Sequence, residues 1–363
     1  MKVGILTHYN VNNQGAQLQM YALSRYLEEY GHEVVILTYE KNFDFVPDEG
    51  KKNVVSIKSI PYYVKNYLFE KGFRLTLFNA KKVKTHQDAL KQFTLVPYDN
   101  NDCDAVVIGS DEVFSIDVGC NKMMYGHGLG NVPAIAYAPA FGMTDEKILK
   151  KFNCYDVVKS GLENMYSLSA RDTHTQSMIK SLTNRDVPLV CDPVLLYSGK
   201  TFNVSVKPIK QKYLLVYAYD RNMVDPDEIH AIKSYAKKHN LITVSAGTYH
   251  KWCDKNIVCN ATEWYFYFKN AECIVTDTFH GSVVAMKNHC NVAVFIRKSL
   301  NAFKLKSLLE VTGMQDRQLK KLTTECLEDI LSKDIDYNKV DKNIENIAEE
   351  SGRYLNGALE KIK

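Results

Sequence analysis

The 363-residue sequence lacks the signals of several common protein classes. Its nine cysteines form no CxxC pair, which argues against a zinc ribbon or a thioredoxin-type site. The histidines also lack the spacing of metal ligands, so we predict no metal site. The formal net charge of +4 is small for this length, whereas a nucleic-acid-binding protein usually has a concentrated basic face. No apolar run reaches the ~18 residues of a membrane-spanning helix. We therefore expect neither nucleic acid nor a membrane span.

The first residues show no apolar segment of the kind found in a secretory signal peptide. An odd number of cysteines without such a signal suits a reducing compartment. We therefore expect a cytoplasmic protein, with peripheral contact at the inner face of the membrane as an open alternative. The length is large for one hydrophobic core and sufficient for two domains. The hydrophobic fraction of 45% and the charged fraction of 24% are ordinary for a globular chain.

Short apolar runs alternate with helical patterns, which is typical of parallel βαβ units. The predicted strands of the first half are 3–7, 33–39, 105–108, 134–137, 167–170 and 189–191. Those of the second half are 213–218, 241–245, 273–275 and 291–295. The predicted helices are 15–30, 226–239, 263–269 and a last one from about 338 to 361. A polar, aperiodic stretch at 198–211 separates the two sets. The pattern predicts an α/β fold of two Rossmann-like, doubly wound domains that face a cleft.

A polar turn follows the predicted strand at 273–275 and precedes an apolar helix. In an open α/β sheet, ligands bind at this edge, and the N–H groups at a helix N-terminus attract anions. A histidine in such a turn can also transfer protons near neutral pH. We therefore predict His280 as a catalytic residue. The predicted anion site consists of Thr278, Phe279, His280, Gly281 and Ser282.

The loop after the first predicted strand contains Asn10, Asn12, Asn13 and Gly15. Asparagines here could cap the next helix or recognise hydroxyl groups, and both interpretations stay open. Gly15 permits a close approach of the backbone. The loop is not a GxGxxG sequence, so the signature of a dinucleotide-binding site is absent.

Two further strand ends are polar. Ser110 and Asp111 follow the strand at 105–108, and Asp111 could act as a base towards a sugar hydroxyl or cap the next element. Arg171 follows the strand at 167–170. It could bind a phosphate or carboxylate through two hydrogen bonds, or form an ion pair with Asp172 or with another element.

Residues 58–84 contain seven basic residues and one acidic residue, Glu70, interleaved with tyrosines and phenylalanines. Amphipathic helices that cover the sheet would show this pattern, with their lysines in solvent. A surface that docks on an anionic membrane or on a lipid diphosphate would show it as well. The sequence leaves both interpretations open.

Six segments, in order, resemble the polysaccharide pyruvyl transferase family. They are residues 12–19, 109–114, 137–142, 169–172, 191–196 and 270–281. The resemblance implies a two-domain fold similar to that of GT-B glycosyltransferases. We expect an N-terminal domain at 1–197 on the acceptor side and a second domain at 198–335 on the phosphoenolpyruvate side. The last helix, within 336–363, would pack back on the N-terminal domain.

The resemblance also implies an activity. Family members transfer the enolpyruvyl unit of phosphoenolpyruvate to two hydroxyls of one sugar, which gives a cyclic pyruvate ketal. The acceptor is a glycan or lipid-linked oligosaccharide for a capsule, exopolysaccharide or cell wall, and no cofactor is expected besides the co-substrate. His280 and Arg171 match family residues that bind phosphoenolpyruvate. The predicted acceptor-binding residues are Asn10, Asn12, Asn13, Gly15, Gln19, Ser110 and Asp111.

The chain departs from the family at three positions. Thr278 stands where some members have arginine, and Arg221, Arg297 or Arg317 could replace that charge. Glu112 and Phe114 stand where many relatives have glutamine and tryptophan, with consequences for sugar contacts or for packing only. Two alternative functions stay open, because fold does not determine function. They are a GT-B nucleotide-sugar glycosyltransferase and a non-catalytic carbohydrate-binding protein.

Overall fold

The computed structural model describes residues 1–40, 72–116, 121–198, 206–297 and 302–362. These residues contain two parallel sheets of six strands each. The first sheet is formed by Lys2–Leu6 (β1), Glu33–Thr38 (β2), Leu95–Pro97 (β3), Ala105–Ile108 (β4), Ala134–Ala136 (β5) and Ser167–Leu168 (β6). The second is formed by Tyr213–Tyr217 (β7), Ile242–Ala246 (β8), Lys255–Ile257 (β9), Cys273–Thr276 (β10), Val292–Phe295 (β11) and Gln318–Leu319 (β12).

The two sheets have the same topology. The first runs β3-β2-β1-β4-β5-β6, and the second runs β12-β11-β10-β7-β8-β9. The strand order reverses between β1 and β4 in the first sheet and between β7 and β10 in the second. Such a reversal opens a crevice at the carboxyl ends of the strands, where doubly wound folds bind their ligands. The predicted fold class, two Rossmann-like domains, is confirmed.

Helices connect and cover the strands of both sheets. In chain order they are Gln14–Glu29 (α1), Phe73–Leu90 (α2), Glu146–Lys151 (α3), Tyr155–Asn164 (α4), Thr173–Thr183 (α5), Pro193–Leu196 (α6), Pro226–Lys238 (α7), Ala261–Lys269 (α8), Phe279–Lys287 (α9), Ala302–Thr312 (α10), Thr324–Leu331 (α11) and Tyr337–Glu360 (α12). Many begin at a side-chain cap: Asn13 accepts hydrogen bonds from the first turn of α1, and Thr278 accepts one from the first turn of α9.

Strands β4, β7 and β10 are buried at every position, because helices cover both faces of each sheet. Their sequences therefore read as continuous apolar runs instead of alternating patterns. One apolar cluster joins the two halves and contains Leu18 of α1, Trp264 of α8 and Leu355 of α12. Trp264 is fully buried, with its ring 4.5 Å from Tyr217 and 4.7 Å from Phe268.

Helix α12 contacts both halves of the chain. The hydroxyl of Tyr354 donates to the carbonyl of Ala136 over 3.0 Å, and Ser351 Oγ accepts from the Cys191 N–H over 2.9 Å. At its other end, Asp341 lies 2.9 Å from His289, which follows α9. The helix therefore packs against residues that precede 197. The domain limits at 197 and 335 stay a prediction.

Arg317 is a fully buried arginine that links its own segment to the end of α11 and the residues that follow it. Its guanidinium donates to the carbonyls of Ile330, Lys333 and Asp334 and pairs with Asp316. We expect Arg317→Ala to lower the free energy of unfolding by about 2 kcal/mol, because buried carbonyls lose a charged donor. Urea unfolding would measure the change, with the exposed Lys320→Ala as the control. An unchanged midpoint for Arg317→Ala would contradict this role.

Several element predictions require correction. The predicted strand 189–191 forms only an isolated bridge between Ala170 and Leu189. Pro188 lacks an N–H group and Pro193 starts α6, so the segment cannot extend a ladder. The sequence does not predict the short strands β3, β9 and β12, since two or three residues show no recognisable hydrophobic period.

The basic segment at 58–84 is described only from residue 72 onward, so its first part lies outside the described residues. Its second part belongs to α2, where Phe78 and Lys82 are buried. Lys82 is therefore not a solvated lysine: burial lowers its pKa although the Asp220 carboxylate opposes that shift. In the described ranges, no helix has the length and apolarity needed to cross a membrane. Contact of this segment with a membrane surface stays a prediction.

Candidate active site

A cavity of about 370 Å³ opens between the carboxyl ends of the two sheets. The first half lines it with residues that follow β1, β4 and β6: His8, Val11, Asn13, Ala16, Asp111, Glu112 and Arg171. The second half lines it with residues that follow β7 and β10 or belong to α10: Tyr219, Arg221, Asp277, Thr278, Phe279, His280, Lys304 and Leu305. Both strand-order reversals therefore open into one cavity. Acidic, basic and hydroxyl groups lie together there.

His280 lies in the first turn of α9 and is only 8% exposed. Its Nε2 atom lies 3.2 Å from Oδ2 of Asp192. Burial by itself would lower the pKa of His280, but the charges of Asp192 and Asp111 outweigh that effect. The pKa of His280 is therefore raised above its ordinary value. Such a histidine stays protonated up to a higher pH than an ordinary one, and it can donate that proton.

Asp192 is buried at the centre of the network, at the N-cap of α6. Its Oδ2 atom lies 3.3 Å from the guanidinium of Arg171 and 3.5 Å from Ser110 Oγ. Arg171 also donates to Oδ1 of Asp111 over 3.3 Å and stacks 4.8 Å from the centroid of the Phe279 ring. Arg171 therefore lines the cavity. It also forms ion pairs with aspartates of other elements, which was one of the alternatives that the sequence left open.

Asp111 has a backbone φ of 73°, a left-handed conformation that is uncommon for a residue other than glycine. Such conformations cluster at functional sites. Burial would raise the pKa of its carboxyl group, but Arg171 and His280 reverse the shift and hold the pKa at about 2. Asp111 is therefore ionised at neutral pH. It can accept a hydrogen bond or a proton from a hydroxyl group.

The predicted acceptor residues divide into three groups. Asn13 and Asp111 line the cavity. Gln19 and Ser110 lie behind it and bond to each other through the Ser110 N–H. Gly15 also lies behind the cavity lining, against the His280 ring. The exposed side chains of Asn10 and Asn12 do not line the cavity.

The predicted anion site divides as well. Thr278, Phe279 and His280 line the cavity. The N–H group of Gly281 donates to Thr278 Oγ1 over 3.0 Å, and Ser282 Oγ donates to the Thr278 carbonyl over 2.9 Å. Neither Gly281 nor Ser282 lines the cavity, and these donors have partners within the turn. Gly281 serves packing, because a Cβ atom there would overlap Thr276 Oγ1.

The structure separates the three arginines that could supply the charge absent at Thr278. Arg221 lines the cavity, and among the described residues it has no hydrogen-bond or ion-pair partner. Arg297 is held by Glu228 at 2.9 Å and Asp277 at 2.5 Å. Arg317 is buried among backbone carbonyls, as described above. Arg221 is therefore the one of the three that can meet a ligand.

Sequence reasoning did not assign a role to several cavity residues. His8, Tyr219 and Asp277 lie within three residues of the ends of β1, β7 and β10. The rule that ligands bind at the carboxyl ends of parallel strands could therefore have found them. Lys304 on α10 carried no such signal; its Nζ lies 2.6 Å from Glu112 and joins the two halves. Phe114 only packs, with its ring centroid 5.2 Å from that of Tyr125.

The fold is similar to several solved structures at low sequence identity. One is UGT89C1 of Arabidopsis thaliana complexed with UDP, at 11% identity and a TM-score of 0.52, with 99% of each chain covered. Another is a Listeria monocytogenes protein described as a UDP-N-acetylglucosamine 2-epimerase, at 9% identity and a TM-score of 0.57, with 99% of this chain and 97% of the other covered. A third is S. aureus MnaA with UDP, at 11% identity and a TM-score of 0.52, with 98% and 97% covered. At these identities the likeness concerns the fold alone.

No curated protein sequence matches the chain significantly. A family model described as polysaccharide pyruvyl transferase matches residues 13–299. The match includes the polar strand ends of both sheets, from Asn13 through Asp111 and Arg171 to His280. The chain belongs to the polysaccharide pyruvyl transferase family and is a transferase.

Proposed function

We propose that the protein transfers the enolpyruvyl unit of phosphoenolpyruvate to two hydroxyls of one sugar, as a cyclic ketal. The acceptor is a glycan or lipid-linked oligosaccharide precursor of a bacterial capsule, exopolysaccharide or cell wall. The observation that carries the proposal is that one cavity combines basic groups with carboxyl groups, among them the ionised Asp111. An anionic donor needs the basic groups, and a polyhydroxyl acceptor needs the carboxylates.

The donor side is formed by Arg171, Arg221, His280 and Lys304. Phosphoenolpyruvate carries a carboxylate and a phosphate, and arginine binds both groups through paired hydrogen bonds. Asp111 and Asp192 already neutralise the charge of Arg171, and Glu112 already neutralises the charge of Lys304. Arg221 is therefore the cation best placed to neutralise an incoming anion. The N-termini of α1 and α9 also face the cavity, and their dipoles favour negative charge.

The proposed reaction requires an acid and a base. A proton from His280 adds to the methylene carbon of the donor, which becomes a methyl group while positive charge develops at C2. One acceptor hydroxyl oxygen bonds to C2, and its proton passes to Asp111. The bond between C2 and the phosphate oxygen then breaks, and the second hydroxyl bonds to C2. The second hydroxyl proton leaves with inorganic phosphate, and the proton on Asp111 restores His280.

Phosphate release and product mass test the proposal together. The purified protein would be incubated with phosphoenolpyruvate and candidate lipid-linked glycans. We expect release of inorganic phosphate and a glycan heavier by one ketal-linked pyruvyl group. Release of UDP from nucleotide sugars, without use of phosphoenolpyruvate, would instead support a glycosyltransferase. Calorimetric binding of a sugar without any binding of phosphoenolpyruvate would support a carbohydrate-binding protein.

Replacement of Arg221 by alanine tests the donor side. We expect the KM for phosphoenolpyruvate to rise about tenfold, because a hydrogen bond to a charged group contributes about 1.5 kcal/mol or more. The fold should be unaffected, since the side chain is exposed and has no partner among the described residues. Arg353→Ala on the exposed face of α12 is the matched control. Equal KM values for the two variants would exclude Arg221 from donor binding.

A further inference from the structure

We propose that Asp192 is a positioning residue that fixes the Nε2 proton of His280 and leaves Nδ1 as the nitrogen that faces the donor. The orientation of the ring rests on the structure alone. The role of Nδ1 towards the donor rests on the proposed function. The two parts can be tested separately.

The first observation is the hydrogen bond between Asp192 Oδ2 and His280 Nε2, at 3.2 Å. Asp192 is 1% exposed, and burial would favour its neutral form, but the charges of His280 and Arg171 lower its pKa. An ionised carboxylate accepts hydrogen bonds and cannot donate them. The proton in this bond must therefore reside on Nε2 of His280. A neutral His280 then carries no proton on Nδ1, whereas a charged one carries a donor there.

The second observation concerns the other edge of the ring. Among the described residues, Nδ1 of His280 has no hydrogen-bond partner. It is also not one of the fully buried side-chain atoms that lack a partner. Gly15 approaches this edge so closely that a Cβ atom would overlap Cγ and Nδ1. The neighbouring Asn13 and Ala16 line the cavity. Gly15 therefore leaves room for the ring in this orientation, in which the histidine itself lines the cavity and Nδ1 is not fully enclosed.

The third observation is where Asp192 comes from. It caps α6, which follows the first sheet, by accepting from the Val194 N–H over 3.0 Å. His280 belongs to α9, which follows β10 of the second sheet. The charged groups with the largest effects on the pKa of the histidine are Asp192, Asp111 and Arg171, all from the first half, while Arg221, Asp277 and Lys304 of the second half line the same cavity. The orientation and the charge of the proposed acid therefore depend on contact between the two halves.

Proton transfer would then proceed from Nδ1. A protonated His280 gives its Nδ1 proton to the methylene carbon of phosphoenolpyruvate and retains its Nε2 proton in the bond to Asp192. The neutral ring that results has the tautomer that Asp192 stabilises. Asp192 does not contact the donor in this scheme. It acts through the histidine, as the orienting carboxylate does beside a histidine in hydrolase triads.

Nitrogen-15 NMR of histidine-labelled protein tests the orientation without any substrate. The signal of His280 is assigned by its loss in His280→Gln. We expect the neutral ring to carry its proton on Nε2, and the pKa of His280 to fall in Asp192→Asn. Asparagine still caps a helix, so α6 should persist. The matched control is Asp172→Asn, because Asp172 caps α5 through the Thr175 N–H and makes no bond to His280.

Activity provides the second readout. We expect kcat of Asp192→Asn to fall about tenfold or more at neutral pH, with a smaller change in KM. Since the acid is active only while protonated, the alkaline limb of the pH profile should move to lower pH. A proton on Nδ1 of neutral His280 in the wild type would overturn the inference, even if the variant fails to fold. So would an unchanged His280 pKa in Asp192→Asn. The expected NMR result without turnover of phosphoenolpyruvate would overturn the proposed function and leave the tautomer assignment standing.

Discussion

Replacement of His280 by glutamine is expected to lower kcat by about 10²–10⁴-fold, the usual contribution of a positioned general acid. Glutamine retains a polar end that can bond to Asp192, but it cannot transfer a proton. The neighbouring ion pairs of Arg171 with Asp111 and Asp192 do not depend on the imidazole. The loss should therefore appear mainly in kcat. Steady-state phosphate release, with phosphoenolpyruvate and an accepted glycan, would measure it.

The chain offers a matched control in His289→Gln. His289 also pairs with an aspartate, Asp341, at 2.9 Å, but the pair is exposed and lies outside the cavity. Its kcat should equal that of the wild type. If His280→Gln keeps its kcat and only its KM for phosphoenolpyruvate rises, His280 binds the donor and does not protonate it. Unchanged values of both parameters would exclude a role of His280 in donor binding and in proton transfer.

The one strand whose predicted limits match the structure, β4, is buried on both faces. Strand β4 lies at the predicted residues 105–108, and β7 and β10 each differ from their predictions by one residue. A long apolar run bounded by polar residues fixes such a strand, because burial sets both its composition and its ends. Edge strands such as β12 have two residues and little burial pattern of their own. Their pairing depends on neighbours that the local sequence does not reveal.

The same reasoning separates the predictable part of the site from the rest. Asp111, Arg171 and His280 each follow a strand, and parallel strands bring their carboxyl ends to one edge. Asp192 and Lys304 depend on partners that lie 88 and 192 residues away in the sequence, His280 and Glu112. Such pairs follow from how the two halves pack against each other. Asp192 itself follows the predicted strand 189–191, but a single sequence carries no local pattern that identifies the partner of either residue.

Replacement of Gly15 by alanine is expected to lower kcat by about 10²-fold without a matching loss of stability. A Cβ atom at this position would overlap Cγ and Nδ1 of His280, so the ring must move away. Because His280 lines the cavity, the ring has space to turn into it. A displacement of about 1 Å in a catalytic group can cost roughly 10²-fold in rate. Alanine also favours the helix by up to about 1 kcal/mol, which offsets part of the local strain.

Gly357→Ala provides the comparison, because Gly357 is also helical and an added Cβ atom meets nothing within 4 Å. That variant should gain roughly 1 kcal/mol of stability and keep its kcat. Thermal unfolding and phosphate release would be measured for both proteins. Wild-type turnover in Gly15→Ala would mean that the exact place of the His280 ring does not matter for the reaction. A low melting temperature together with low turnover would assign the loss to the packing between α1 and α9. Low turnover at an unchanged melting temperature would assign it to the displaced His280 ring.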